Sequence, residues 1–271
     1  MEAIYWQSLL QGIIQGITEF LPISSTGHMI IVDHFIRMDE HFSKMFEVVV
    51  QLGSILSVLV YFHKKLFPIT VTEKNVTLTV PRDVWQKVIV AVIPALIIGA
   101  LFGSRIQEFL YNVQTVAIAL IIGGIVLIAV DSTERENTSM QEFDQLSYRK
   151  VLGIGLIQCL AMIPGTSRSA STIIGGMCLG CSRPLSAEFS FFLAIPTMIA
   201  ASGYSLLKYG ANLSKTEWIA LGLGFVTAFL VAWAVIAFFM AYIRKHDFKA
   251  FGWYRIALGV ILLVLYFTRV I

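Results

Sequence analysis

Two long apolar stretches of the 271-residue chain are interrupted in the middle, and these interruptions constrain its fold more than any other feature. Residues 5–36 break at Pro22-Ile23-Ser24-Ser25-Thr26-Gly27-His28, and residues 150–181 break at Pro164-Gly165-Thr166-Ser167-Arg168-Ser169. Each half is about 12–16 residues, too short at ~1.5 Å per residue to cross a bilayer core of roughly 30 Å. Both stretches therefore read as hairpins that enter and leave by one face. Their non-helical tips must be buried in protein or line a cavity, because lipid offers free backbone groups no hydrogen bond.

Six unbroken apolar segments surround them, at roughly 46–63, 84–103, 113–130, 187–207, 216–242 and 252–270, each near the ~20 residues a spanning helix needs. Hydrophobic residues make up 57% of the chain and charged residues 14%, against roughly 25% charged in soluble domains. Mean hydropathy is +0.78. This balance excludes a water-soluble globule and a disordered chain. Runs such as VQTVAIALIIGGIVLIAV at 113–130 are continuous, where barrel strands would alternate, so the spans are helical. The net charge of +3 is too small for a nucleic-acid partner. Glu2 and no basic run precede the first apolar stretch, so the first helix is expected to be retained rather than cleaved as a signal peptide. Cys159, Cys178 and Cys181 lack a second pair or a suitably placed His and read as packing residues.

The broken stretches resemble one another. Placing Gln15 on Gln158, 143 positions on (158 − 15), puts Ser24 on Ser167 and Ser25 on Arg168. Further on, Phe46-Glu47 meets Glu188-Phe189 at a nearly equal offset, 141 positions for the glutamates (188 − 47). Each copy reads as a broken hairpin followed by three spans, and three spans between the hairpins put them in from opposite faces. The expected fold is a single all-α integral membrane domain over 1–271, an inverted-topology repeat with six transmembrane helices and two re-entrant hairpins. Repeat one covers about 1–130, repeat two about 150–271, and a charged connector 131–149 joins them. Such repeats place a site near the midplane, where the tips meet.

Loop charge sets an expected orientation. Lys64, Lys65, Lys74, Arg82, Arg135, Arg149, Lys150, Arg183, Arg244, Lys245 and Lys249 collect on one face, against Arg37, Lys44, Arg105, Lys208, Lys215 and Arg269 on the other. The richer face is expected to be cytoplasmic, which leaves both termini and the base of the first hairpin outside.

Ionisable residues inside apolar segments are costly and point to function. Those singled out are Glu19, His28, Asp33, Glu47, Arg168 and Glu188. Gln15 and Glu19 share a helix face. Pro22 ends that helix, and Ser24, Ser25 and Thr26 suit the N-cap of the next. Ser25 and His28, three apart, place a hydroxyl and an imidazole on neighbouring positions. The second break adds Arg168 between Ser167 and Ser169 at the start of a half-helix that continues through Thr172. A guanidinium, hydroxyls and free N–H groups at a helix N-terminus suit an anion, phosphate above all. No P-loop motif is present. Glu47 and Glu188 occupy matching places and are expected to support the opposing tips.

Gln15-x-x-x-Glu19 with the following Phe20-Leu21-Pro22-Ile23-Ser24-Ser25-Thr26-Gly27-His28, and Pro164-Gly165-x-Ser167-Arg168-Ser169-x-x-Thr172, resemble the two signature motifs of the bacterial undecaprenyl-diphosphate phosphatase family, also called the bacitracin-resistance protein family. The resemblance covers essentially the whole chain. The family's first motif begins with Glu or Gln, so Gln15 conforms and leaves Glu19 as the one carboxylate there. The resemblance implies two re-entrant helix pairs and six spans in the bacterial inner (plasma) membrane. It also implies hydrolysis of the C55 isoprenoid diphosphate to monophosphate and phosphate, recycling the carrier for peptidoglycan. A divalent cation, Mg2+ or Ca2+, a site open to the outer face, and protection against bacitracin follow from it too.

On that basis Ser25 is the expected nucleophile and His28 its base and later the acid. Arg168 balances the developing charge, and Glu19 holds the cation. Gln15, Ser24, Thr26, Gly165, Ser167, Ser169 and Thr172 contact the substrate. Attack by water or by His28 itself stays open. The expected partners are the prenyl diphosphate and the bilayer; self-association into a homo-oligomer is left open. Two other classes compete. An acid-phosphatase-type lipid phosphatase would need a histidine downstream of Ser167-Arg168, where Ile173, Ile174 and Gly175 stand. A lipid-phosphate transporter would use the same inverted repeat without hydrolysis.

Overall fold

The computed structural model describes residues 2–36, 38–72, 75–78, 81–133, 140–209 and 213–271. Arg37, Lys74, Glu134, Arg135 and Glu136, which entered the charge and connector arguments, lie outside the described residues. The helices are α1 (Glu2–Thr18), α2 (Ser25–Phe35), α3 (Glu40–Tyr61), α4 (His63–Leu66), α5 (Arg82–Leu110), α6 (Val113–Ser132), α7 (Tyr148–Gln158), α8 (Arg168–Cys178), α9 (Arg183–Tyr209), α10 (Lys215–Ile243) and α11 (Lys249–Phe267).

Among the described residues, five helices are long and apolar enough to cross a membrane: α5, α6, α9 through Gly203, α10 and α11. The apolar part of α3, Met45–Tyr61, is shorter. α9 is the central helix, with 72% of its apolar window buried against 28–33% in the other four. Leu101 on α5, Ile122 on α6, Val226 on α10 and Val264 on α11 point outward, as lipid-facing positions do.

The all-α architecture carries one short strand pair. Between α4 and α5, β1 (Ile69–Thr72) pairs antiparallel with β2 (Asn75–Leu78), Ile69 opposite Leu78 and Thr72 opposite Asn75. Ile-Thr-Val-Thr and Asn-Val-Thr-Leu alternate apolar with polar residues and are rich in β-branched Ile, Val and Thr, which favours strand over helix.

Both breaks fall where the sequence puts them. α1 ends on Glu19 N donating to Gln15 O at 3.0 Å, and the chain turns through Pro22. α7 tightens into a 3-10 turn over Cys159–Met162 before Pro164. Each new helix then starts after a serine with left-handed φ, 70° at Ser24 and 72° at Ser167. Gly165 (φ +91°) has no freedom to be anything larger, since a Cβ there would lie 2.4 Å from Val116 O.

Glycines also set the closest helix approaches. A Cβ on Gly12 of α1 would lie 2.7 Å from Gly224 O of α10, and one on Gly155 of α7 would lie 2.2 Å from Ala91 O of α5. Under the tips, Phe20 packs edge-on against Phe191 at 5.0 Å and 75°. Asp131 belongs to the last turn of α6 rather than to an exposed connector. It is buried, pairs with Arg183 Nε at 2.7 Å, and accepts from Phe248 N at 3.1 Å. The three cysteines form no disulfide; Cys181 is buried, which pushes its thiol up to about 11, whereas Cys159 is half-buried and Cys178 is exposed, so only Cys181 packs as expected.

Candidate active site

The last turn of α1 presents Gln15 and Glu19 toward the break, both buried. Gln15 Nε2 donates to Glu19 Oε2 at 2.7 Å. Ser25 opens α2, and its hydroxyl lies 3.4 Å from the same Glu19 Oε2. Thr26 is half-buried beside it. His28, one turn on, has Nδ1 2.8 Å from Ser24 O and Nε2 2.7 Å from Tyr254 Oη, with the two rings stacked at 5.6 Å. A carbonyl can only accept, so Nδ1 carries the proton and Nε2 of the neutral ring is the basic nitrogen.

At the second break, Ser167 caps α8 by accepting from Ala170 N at 3.2 Å. Ser169 Oγ donates to Leu21 O of the first tip at 2.8 Å, and Ser167 Oγ lies 3.0 Å from Ser169 Oγ. Since Ser169 spends its proton on Leu21, Ser167 donates to Ser169. Arg168 reaches across to the first tip, with Nη2 2.8 Å from Glu19 Oε1. Its Nη1 donates to Ser190 O of α9 at 3.0 Å. Thr172 Oγ1, 2.6 Å from Ser190 Oγ, braces that serine.

The two tips therefore meet at one carboxylate. Glu19 accepts from Arg168 on one oxygen and from Gln15 and Ser25 on the other. Arg168 and Glu19 side chains are 15% and 5% exposed, so the pair is desolvated and each partner depends on the other. Two buried polar atoms at this junction, Ser24 Oγ and Arg168 Nε, have no hydrogen-bond partner among the described residues. Around them stand hydroxyls and the N-termini of α2 and α8. Positive helix ends, a guanidinium and unspent polar atoms form an environment made for an anion.

Other expectations fall differently. Ser25 is oriented by Glu19; a Ser25–His28 hydrogen bond is not among those of the described residues. Glu188 does not support the opposing tip: its carboxylate pairs with Lys65 Nζ at 2.7 and 2.8 Å. Glu47 keeps company with Asp33 and Ser43 rather than with the second tip, and Gln11 Nε2 donates to Asp33 at 2.8 Å. Their nearly equal spacing along the chain said nothing about where their side chains point. Ser190 and Tyr254 are site residues that the sequence reading missed. Neither carries a local motif, and only the packing of α9 and α11 brings them to the tips.

No cluster of three or more His, Cys, Asp or Glu gathers among the described residues, and both Glu19 oxygens are engaged. These residues do not form a cation cage of their own. One carboxylate does fit an Mg2+ ion held mainly by water and substrate phosphates, so Glu19 fits a cation that arrives with a diphosphate.

The family model of the bacitracin resistance protein BacA matches residues 8–261. Undecaprenyl-diphosphatase 1 of Clostridioides difficile (strain 630) is 51% identical over 268 residues, covering 97% of this chain and 96% of the relative. Undecaprenyl-diphosphatase of Acetivibrio thermocellus is 47% identical over 267 residues, covering 97% and 98%. Undecaprenyl-diphosphatase of Enterococcus faecalis is 46% identical over 260 residues, covering 94% of each.

Proposed function

Because the chain belongs to the bacitracin resistance protein BacA family, a multi-pass membrane family, we propose that it hydrolyses undecaprenyl diphosphate to undecaprenyl phosphate and phosphate. The reaction returns the lipid carrier to peptidoglycan synthesis in the bacterial inner membrane and removes the diphosphate that bacitracin sequesters. The observation that carries this reading is the Arg168–Glu19 pair joining the two tips, with Ser25 on the same carboxylate.

The headgroup enters between the tips, with the N-termini of α2 and α8 and the Arg168 guanidinium around the terminal phosphate. Ser25 Oγ attacks the terminal phosphorus. An Oγ–P bond forms and the bond to the bridging oxygen breaks, releasing undecaprenyl phosphate. The Ser25 proton passes to His28 Nε2, which Tyr254 yields on substrate entry, and then to the leaving phosphate. Water, deprotonated by the same nitrogen, attacks the phosphorus; the Oγ–P bond breaks, phosphate leaves, and His28 returns the proton to Ser25 Oγ. Charge in such a loose transition state spreads over the equatorial oxygens, where Arg168 and the backbone N–H groups act. Glu19 and Gln15 hold Ser25 in line. A divalent cation bound with the diphosphate, Mg2+ or Ca2+, would be held by Glu19 and would neutralise phosphate charge.

The inverted repeat with a sixth span through α3 and two re-entrant hairpins belongs to the same proposal. Supporting it, Ser24 and Ser167 share the 143-residue offset and a φ near 70°. Gly12 and Gly155 share that offset too, and each brings a broken hairpin against a long helix of the other repeat. The site then opens to the outer face, with both termini outside.

The test is phosphate release from undecaprenyl diphosphate by purified protein in detergent. Wild type turns over, and E19Q and R168Q fall by about a thousandfold or more, as loss of a main counter-charge in a buried phosphate site requires. A protein that moves the lipid without releasing phosphate would refute the reading.

A further inference from the structure

Arg255 lies inside the apolar α11, yet among the described residues it is the largest side chain with no solvent exposure. Among the described residues, every hydrogen bond of its guanidinium goes to a backbone carbonyl. Nη1 donates to Pro22 O of the first tip at 3.2 Å. Nη2 faces Thr166 O at 2.9 Å and Gly165 O at 3.3 Å, both in the second tip. Nη2 also faces Ala119 O at 3.3 Å, and Nε faces Leu120 O at 3.4 Å, both on α6. The helix breaks leave Pro22 O, Gly165 O and Thr166 O without a backbone donor among the described residues, and bare carbonyls at that depth are expensive.

We infer that Arg255 is the positioning residue that clamps the two tips in register, setting the Arg168–Glu19–Ser25 geometry without touching substrate. Only a planar fork of five donors can serve carbonyls on both tips and α6 at once; a lysine presents three donors from one point. The surrounding backbone is shaped to admit it. A Cβ on Gly123 would lie 2.2 Å from Nη2 and 3.0 Å from Cζ, so glycine there makes room for the guanidinium. The clamp also holds a cation that has no carboxylate partner among the described residues, in contrast to Arg168. Its charge therefore adds to the positive helix ends that face an incoming anion.

This inference rests on the proposed hydrolysis for its kinetic part, so its test includes a readout that needs no turnover. R255K and G123A are compared with wild type for hydrogen exchange by mass spectrometry and for steady-state kinetics. In both, exchange is expected to rise together in residues 20–27 and 163–170 while α5, α9 and α10 stay protected. kcat should fall by about a hundredfold, the size of effect that small misplacements produce, with KM within about threefold because no substrate contact is lost. G123A keeps the arginine and gives α6 a better helix former, so it decides the matter if R255K does not fold. Wild-type exchange and kcat in G123A, or a loosening spread evenly over all helices with kcat per folded molecule unchanged, would overturn the assignment. Absence of phosphate release in wild type would sink the hydrolysis reading but leave the exchange result to judge the clamp.

Discussion

At the scale of single residues, the Glu19 carboxylate explains more of this protein than any other group. It is the point where an arginine from one hairpin and a serine from the other are held together. If Ser25 is the nucleophile, S25A should lose a phospho-enzyme that rapid quench traps in wild type, and S25C should retain a slower one. Full turnover by S25A would move the attack to water. Most of these residues were legible in the sequence, because charged and hydroxyl side chains inside apolar runs are costly unless used. Arg255 satisfies the same criterion within 252–270 but belongs to no motif that would single it out. Ser190 and Tyr254 were not legible at all: one is a serine in a helix, the other an aromatic near a helix end, and only tertiary packing gives them a role. Glu188 shows the reverse error. Its nearly equal spacing with Glu47 suggested the tips, but Lys65 takes its carboxylate.

At the scale of elements, the breaks themselves were readable from Pro22, Pro164 and the serines that follow. A short strand pair between α4 and α5 was not, because four-residue alternations are faint beside twenty-residue apolar runs. Helix approach distances are encoded more quietly, in glycines. Gly155→Ala should push α7 off α5, since its Cβ would meet a backbone oxygen at 2.2 Å; overpacking of that kind costs about 1–3 kcal/mol. Gly12→Ala should act in the same direction through α10. Gly222→Ala, where nothing lies within 4 Å, should be neutral or mildly stabilising. Thermal unfolding in one detergent orders the three, and equal midpoints would mean that these approaches carry no weight.

At the scale of the whole molecule, the proposed inverted repeat predicts which residues face which side. In a background with the native cysteines replaced, K245C should react with a membrane-impermeant maleimide only after permeabilisation. R105C and R269C should react in intact spheroplasts. The opposite pattern would turn the molecule over and close the site to the outer face. The central claim is more local than topology: two hairpins from distant parts of the chain build one phosphatase centre through Arg168 and Glu19. A double-mutant cycle on kcat/KM for phosphate release, using E19Q, R168Q and the double variant, tests it most directly. The account predicts that each single change removes nearly all activity and that the double is scarcely worse than either, as residues acting as a unit are non-additive. Near-normal turnover in either single variant, or losses that simply add, would contradict it.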